Sequence, residues 1–377
     1  MFRQRALQEL RPALAHPAAR RAFVGFDGFV DTIVAPVARR TGQGDQFTPF
    51  ASLADFGRRI VDAAGQSTNI ELYPRLDKLG GNGPILANAL LAQGAAVTYV
   101  GALGRGQVHP VFADLASRAR VVSVADAAHT IAVECNDGKC MLGMMRSLDE
   151  VTPAAIISGL GGPDACRDAL AATDLVALVN WTMLPHMTAI LDEFASTILP
   201  RVPALAGGGQ AEKGRIFFFD LADPEKRSAD DLRAALAAMA RFGRFGRVTL
   251  GLNLKEARQV AAALGVAPAA DTEAGLVAMT AAIRAGLDVA TVVVHPRDCA
   301  ACATAAGAWR VPGPVAEQPL ITTGAGDHFN AGFVTGQLLG FAPETCLALG
   351  VCTSGHYVRT AQSPSLADLE SFLANWH

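Results

Sequence analysis

Aromatic residues are scarce in this chain, with 3 tryptophans, 3 tyrosines and 18 phenylalanines making up 6% of 377 residues. Charge is scarce too: Asp, Glu, Lys and Arg together reach 18%, and the formal net charge is −3. A balance so close to neutral excludes a general positive field for nucleic acid or an anionic membrane surface. No apolar run approaches the length that crosses a bilayer. What is abundant is small and apolar. Hydrophobic residues make up 51% of the chain, mostly alanine with leucine and valine, beside 37 glycines. That is enough to bury a large core, and short valine runs set in alanine suit alternating helices and buried strands.

Seven cysteines, an odd number, point to free thiols in a reducing cytoplasm. Cys299 and Cys302 form a C-x-x-C, but no nearby histidine completes a metal spacing, so they read as small buried hydrophobes. Residues 1–21 lack the compact apolar stretch of a signal peptide and are expected to form an arm or helix ahead of one domain over 22–377.

The spacing predicts strands at 22–25, 32–37, 69–73 and 97–101, and a helix over 50–64 with Leu53, Phe56, Ile60 and Val61 on one face. A glycine turn at 80–83 precedes a helix over 84–93. Strands at 130–135 and 140–145 flank Asn136-Asp137-Gly138-Lys139, a hairpin signal. From about residue 150 apolar strands alternate with helices: strands at 175–179, 216–220, 248–252 and 291–295, helices at 185–198, 230–242, 255–264 and 272–285. That rhythm predicts a parallel sheet covered on both faces. Residues 204–213, with three consecutive glycines, are expected to be a surface loop. The early strands and the polar hairpin do not fit the parallel part. They predict a small separate sheet, built from about 32–48, 67–76 and 128–147, lying as a lid over the strand ends where ligands bind in open α/β sheets.

The segment ITTGAGDHFNAG at 321–332 runs into an apolar helix-like stretch. The amides of Gly324, Ala325 and Gly326 would sit at a helix N-terminus, which presents free N–H donors and about +0.5 of an elementary charge. Asp327, just inside, is placed to accept a proton from a hydroxyl. From spacing alone, a phosphate site and a plain Ala/Gly loop with a capping Asp stand level.

This segment closely resembles the C-terminal signature of the ribokinase-like, or phosphofructokinase B-type, carbohydrate kinases. The resemblance implies an anion hole from Gly324, Ala325 and Gly326, a catalytic base in Asp327, and a preceding nucleotide-side residue in Thr323. LGGNGPILANAL at 79–90 is similar to the family's N-terminal signature, which implies sugar contacts from Gly80, Gly81 and Asn82. GFDGFVDTI at 25–33 resembles the family's first strand, whose Asp binds sugar hydroxyls. Asp31 is the favoured match, by the aliphatic run that follows it. For Asp27 a ligand role and a turn cap stand level. Asn253 and Glu256, after a strand, are similar to the family's Asn-x-x-Glu element, which implies magnesium held through water. Around 220–227 the chain resembles a sheet-edge segment whose basic residues meet phosphate, although a solvated turn is the safer reading.

Three departures qualify the match. Ile321 stands where many members have an aspartate that holds a monovalent cation. His295-Pro296-Arg297 replaces a Thr-x-Gly at the nucleotide, leaving Arg297 as a candidate phosphate contact. Ile85 replaces a common Asn. His356 falls on the helix expected beside adenine, where a structural role suits it better than a catalytic one. The expected fold is a ribokinase-like three-layer sandwich with a mostly parallel sheet and a β lid. The expected activity is ATP- and Mg2+-dependent phosphorylation of a sugar or polyol by a cytoplasmic monomer or homodimer. A nucleoside kinase of the same fold and a non-catalytic sugar-binding protein are the alternatives. No strand–G-x-G-x-x-G–helix fingerprint supports an oxidoreductase. The kinase reading requires Asp327 to share a cleft with Gly81 and Asn82.

Overall fold

The computed structural model describes residues 2–16, 18–205 and 214–376. The glycine-rich loop expected at 204–213 falls mostly outside the described residues. Helix α1 (Phe2–Ala15) leads to β1 (Arg21–Phe26), β2 (Phe29–Arg40), β3 (Phe47–Pro49), α2 (Leu53–Val61) and β4 (Leu72–Gly80). Next come α3 (Asn82–Ala92), β5 (Ala96–Ala102), α4 (Ala113–Arg118), β6 (Arg120–Ala125) and the hairpin β7 (Ala128–Cys135) and β8 (Gly138–Met144). Helices α5 (Pro153–Leu160) and α6 (Pro163–Ala171) precede β9 (Leu175–Leu178), α7 (Met187–Glu193), β10 (Ile216–Asp220), α8 (Ala229–Arg241), β11 (Arg247–Leu252) and α9 (Leu254–Ala263). The chain closes with α10 (Glu273–Leu287), β12 (Thr291–Val294), β13 (Cys299–Thr304), β14 (Gly307–Pro312), α11 (Ala325–Leu338), α12 (Pro343–Thr360) and α13 (Leu366–Asn375).

Nine strands form the main sheet in the order β14-β13-β12-β11-β10-β9-β1-β5-β6. From β12 to β6 every neighbour is parallel, and β13 and β14 add antiparallel pairs at one edge. Side chains alternate between faces along each strand, so each strand feeds two cores. Phe217, Phe219, Val176 and Leu178 pack on one face, Ile216, Phe218, Leu175 and Ala177 on the other. Cys299 and Cys302 are buried free thiols in β13.

The second sheet pairs β2 with β4 antiparallel and with β7 parallel, with β8 beyond β7 and β3 on the far end of β2. It is longer than the sequence suggested. β2 starts at Phe29 rather than 32, and β4 runs from Leu72 to Gly80 rather than over 69–73. Pairing along β2 selected these residues, not their own apolar content: polar Arg75, Asp77 and Lys78 lie mid-strand because β2 offers them a ladder. The hairpin loop is also tighter than expected, with Cys135 pairing directly to Gly138 across Asn136-Asp137. Of the apolar face predicted for α2, Phe56 packs on Val34 and Val133, while Ile60 and Val61 are exposed. Nor is α1 a detached arm. Ala6 and Leu10 are fully buried in the second core, and Arg11 pairs with Glu370 of α13.

Candidate active site

Every parallel strand near the centre delivers a polar residue to its C-terminal end. Asp27 follows β1, Asn180 follows β9, Asp220 ends β10, Asn253 follows β11 and His295 follows β12. Two helix N-termini, those of α3 and α11, meet over this edge, and the second sheet covers them.

At the mouth of α3, Asp27 is fully buried. One carboxylate oxygen accepts the Gly83 N–H at 2.8 Å, and the other accepts the Asn82 N–H at 2.9 Å and Asn180 Nδ2 at 2.6 Å. Burial pushes Asp27 up to about 6 against the pull of these bonds. Its donors all belong to the chain, so of the two roles the sequence left open, the geometry supports the cap. Asp31 instead lies on β2 in the lid sheet, opposite Lys78 on one side and Thr130 on the other. Its carboxyl group packs directly over Gly80, where a β-carbon would come within 2.4 Å of it. Only glycine leaves room for that approach. Burial raises Asp31 above the usual carboxylate range, opposed by the Thr130 bond and by Lys78 and Lys139.

At the mouth of α11, Gly324 caps the helix at φ +88°, a conformation that favours glycine. The Ala325 N–H turns back to the Thr322 carbonyl at 3.2 Å, so one of the three amides expected in the anion hole is engaged within the turn. The Gly324 and Gly326 N–H groups have no partner among the described residues. The turn is braced from behind by two residues that sequence reasoning did not single out for this role. Tyr357 Oη donates to the Thr323 carbonyl at 3.0 Å, and His328 Nδ1 lies 2.7 Å from the Gly324 carbonyl. The His328 and Tyr357 rings stack with centroids 3.6 Å apart, and His328 Nε2 meets Ser363 Oγ at 2.8 Å. Desolvation lowers His328 to about 4, so the brace is neutral near pH 7. His328 sits inside the quoted motif, but its contacts depend on α12, which no local pattern announces.

Asp327 is buried, and its Oδ1 accepts Asn82 Nδ2 at 2.9 Å. This bond joins residues 245 positions apart and brings the two signatures into one cleft. Burial raises Asp327 well above the ordinary carboxylate range. The Asn82 bond opposes that rise, and the charges of Asp27 and Glu256 add to it.

A third group stands beside it. Asn253 and Glu256 form a reciprocal cap on α9: Asn253 Oδ1 accepts the Glu256 N–H at 2.9 Å, and Glu256 Oε2 accepts the Asn253 N–H at 2.8 Å. Glu256 Oε1 takes the Asp223 N–H at 2.9 Å. Asp220 Oδ2 accepts Asn330 Nδ2 at 3.0 Å, while Oδ1 is buried with no partner. Burial, then Glu256 and Asp327, raise Asp220 well above its usual range. Asp220 is thus an interior acid, although the sequence around it resembled a solvated turn.

A cavity of 380 Å3 opens beside α11, lined by Asn253, His295, Arg297, Ala325, Gly326 and Val358 among others. Arg297 is exposed at its rim. His356, expected on the nucleotide side, lies off this cleft. It packs against Phe372 of α13 and lines a separate hollow with Arg359 and Asp368. Gly355 lines the cavity and His356 does not, because consecutive helix residues point to different sides, and the sequence does not state that rotation. Thr323 is not among the residues lining this cavity. Its hydroxyl instead accepts a hydrogen bond from Lys139 at the tip of the lid hairpin.

The family model for prokaryotic ketohexokinases matches residues 4–376. The chain belongs to the prokaryotic ketohexokinase family. A curated ketohexokinase from Haloferax volcanii is 26% identical over 358 residues, covering 94% of this chain and 91% of its own. Among solved structures, a phosphofructokinase-2 variant from Escherichia coli superposes with a TM-score of 0.64 at 14% identity, over 95% of this chain and 99% of that one. Ribokinase from Arabidopsis thaliana, complexed with ribose and ATP, gives 0.62 at 15%, over 94% and 99%. The fold is therefore ribokinase-like, and this ketohexokinase-family chain is an ATP-dependent carbohydrate kinase. No helix among the described residues is long and apolar enough to cross a membrane.

Proposed function

We propose that the chain transfers the γ-phosphoryl group of ATP to a hydroxyl of a ketohexose, with Asp327 as the base. The observation that carries this reading is the Asn82–Asp327 bond, because it sets a buried carboxylate and the two unpartnered amides of Gly324 and Gly326 beside the glycine turn that would hold the sugar.

In this reading the acceptor lies under the lid, against Asp31, the Gly80–Gly81 backbone and Asn82. Asp27 acts one layer further in, by holding the α3 mouth in place. Asp327 accepts the hydroxyl proton as the oxygen attacks. A carboxylate with a raised pKa is a better base near neutral pH than an ordinary one. The Asn82 bond keeps one of its oxygens oriented and favours the ionised form. The Gly324 and Gly326 amides face the charge that spreads over the transferring group, and this positioning outweighs proton removal in a loose transition state. The nucleotide lies along the cavity beside α11.

The residues present also fit a magnesium ion. Glu256 raises the proton affinity of both Asp220 and Asp327, Asp327 adds to that of Asp220, and Asp220 Oδ1 is a buried acceptor without a donor. A hydrated divalent cation relieves both conditions, with Asn253, Glu256 and Asp220 as its outer partners. When bound, it neutralises phosphate charge. Seven unpaired cysteines fit a cytoplasmic site of action.

The test is a product screen. ATP is paired in turn with fructose, ribose and adenosine, and the products are read by mass spectrometry. The expected outcome is a ketohexose phosphate, formed only when magnesium is present. Phosphorylation of adenosine or ribose with fructose left untouched would overturn the assignment of acceptor.

A further inference from the structure

Of the three carboxylates at this site, Glu256 is opposed in its rise by the Asp223 and Asn253 amides and by Lys255, while Asp327 and Asp220 draw on no such cation. The groups that act on Asp327 are burial, Asn82, Asp27 and Glu256, and those on Asp220 are burial, Glu256, Asp327, Asn330 and the Ala222 backbone. Neither set includes a lysine or an arginine. On the main-domain side the basic groups are Arg297, exposed at the cavity rim, and Lys255 beside Glu256. A further positive charge lies on the lid.

Side chains two apart on a strand share a face, and partners across a ladder share it as well. Asp31 on β2 stands opposite Lys78 on β4 and Thr130 on β7. Glu134 on β7 stands opposite Lys139 on β8. The alternation from 130 to 134 places Asp31, Lys78, Thr130, Glu134 and Lys139 on one face. Lys139 then bonds to Thr323 Oγ1, the residue immediately before the α11 cap, so this is the face turned toward the anion hole. Lys139 also acts electrostatically on both Asp31 and Lys78. One ammonium therefore reaches from the acceptor side of the cleft to the anion-hole side, and it rides on the lid hairpin.

We propose that Lys139 is a substrate-contacting residue of the transfer step. With the lid down, its ammonium leaves Thr323 for the oxygens of the transferring phosphoryl group and supplies positive charge beside Asp327. This rests on the kinase reading above. In the step, the bond from the γ-phosphorus to the ADP oxygen breaks, a bond to the acceptor oxygen forms, and the acceptor proton passes to Asp327. Lys139 keeps its proton throughout and donates hydrogen bonds. Its contribution grows as charge develops on the equatorial oxygens, so it belongs to kcat rather than to nucleotide binding.

The experiment compares Lys139→Met, Lys139→Gln and Lys139→Arg in the full chain, using whichever sugar the wild type phosphorylates. Glutamine is a neutral donor that can still latch onto the Thr323 hydroxyl, so it separates charge from latching. Loss of one such electrostatic contact is expected to lower kcat about 10- to 100-fold in both the Met and Gln variants, with KM for ATP and acceptor within about threefold of wild type. Arginine keeps the charge and is expected to return kcat to within about fivefold of wild type. Unchanged melting temperatures in all three variants accompany these results. Wild-type turnover in the Gln variant, or a loss in the Met variant carried wholly by the acceptor KM, overturns the proposal. A wild-type protein inactive on every sugar would instead sink the kinase reading, an outcome visible before any variant is made.

Discussion

The mouths of α3 and α11 are built alike and finish differently. Each begins at a glycine with positive φ and points its first amides at the cleft. At α3 the Asn82 and Gly83 amides are taken by Asp27, a carboxylate supplied by the adjoining strand end. At α11 no carboxylate among the described residues takes the Gly324 and Gly326 amides, and Asp327, just inside the helix, is turned to Asn82 instead. A helix N-terminus is an anion site only when the fold does not provide the anion itself. The first mouth is thereby a rigid support, the second a place for phosphate.

The sharpest way to break this comparison is to remove each mouth's acid in turn. Asp327→Asn keeps the size and can still bond to Asn82. If Asp327 is the base, turnover falls by about 10²–10⁴ while urea denaturation changes little. Near wild-type turnover in that variant would end the assignment. Asp27→Ala should do the reverse in kind, by stranding three donors, two of them buried. Each costs about 1–3 kcal/mol when unsatisfied, so urea denaturation should show a loss of at least about 3 kcal/mol. Full stability with loss of sugar binding alone would return Asp27 to the ligands. The smallest effect is on pH. Burial raises Asp327, so the acid limb of kcat/KM should lie above the ordinary carboxylate value of about 4. The Asn82 bond lowers that pKa, so Asn82→Ala should move the acid limb to higher pH. A limb that stays put would mean that the bond is absent in the working enzyme.

Where the chain is periodic and buried, the sequence was a sound guide. Strands at 216–220 and 97–101 and helices after Ser228 and Asn253 follow from apolar runs and capping residues that act over one turn. The lid was less legible. Its strands are half-exposed and polar, so β4 takes its bounds from the ladder that β2 offers. The glycine turn at 80–83 also became a strand end and a helix start, because Asp27 caps a helix two residues earlier than its proline suggested. At the site, Asp327 and Asn82 were visible as motif members. The brace of His328, Tyr357 and Ser363 was not, because its three residues meet only when α12 folds back on α11.

By itself the amino-acid order determined the alternation of strands and helices, and the places where small residues leave backbone amides bare. Both depend on interactions within a few residues. Only the tertiary structure decided which of two aspartates, Asp27 or Asp31, is spent inside the fold, which face His356 shows, and that a lysine from a distant hairpin arrives at Thr323. Those outcomes depend on groups tens to hundreds of positions apart competing for the same hydrogen-bond donors and the same buried space, and no local pattern records who wins.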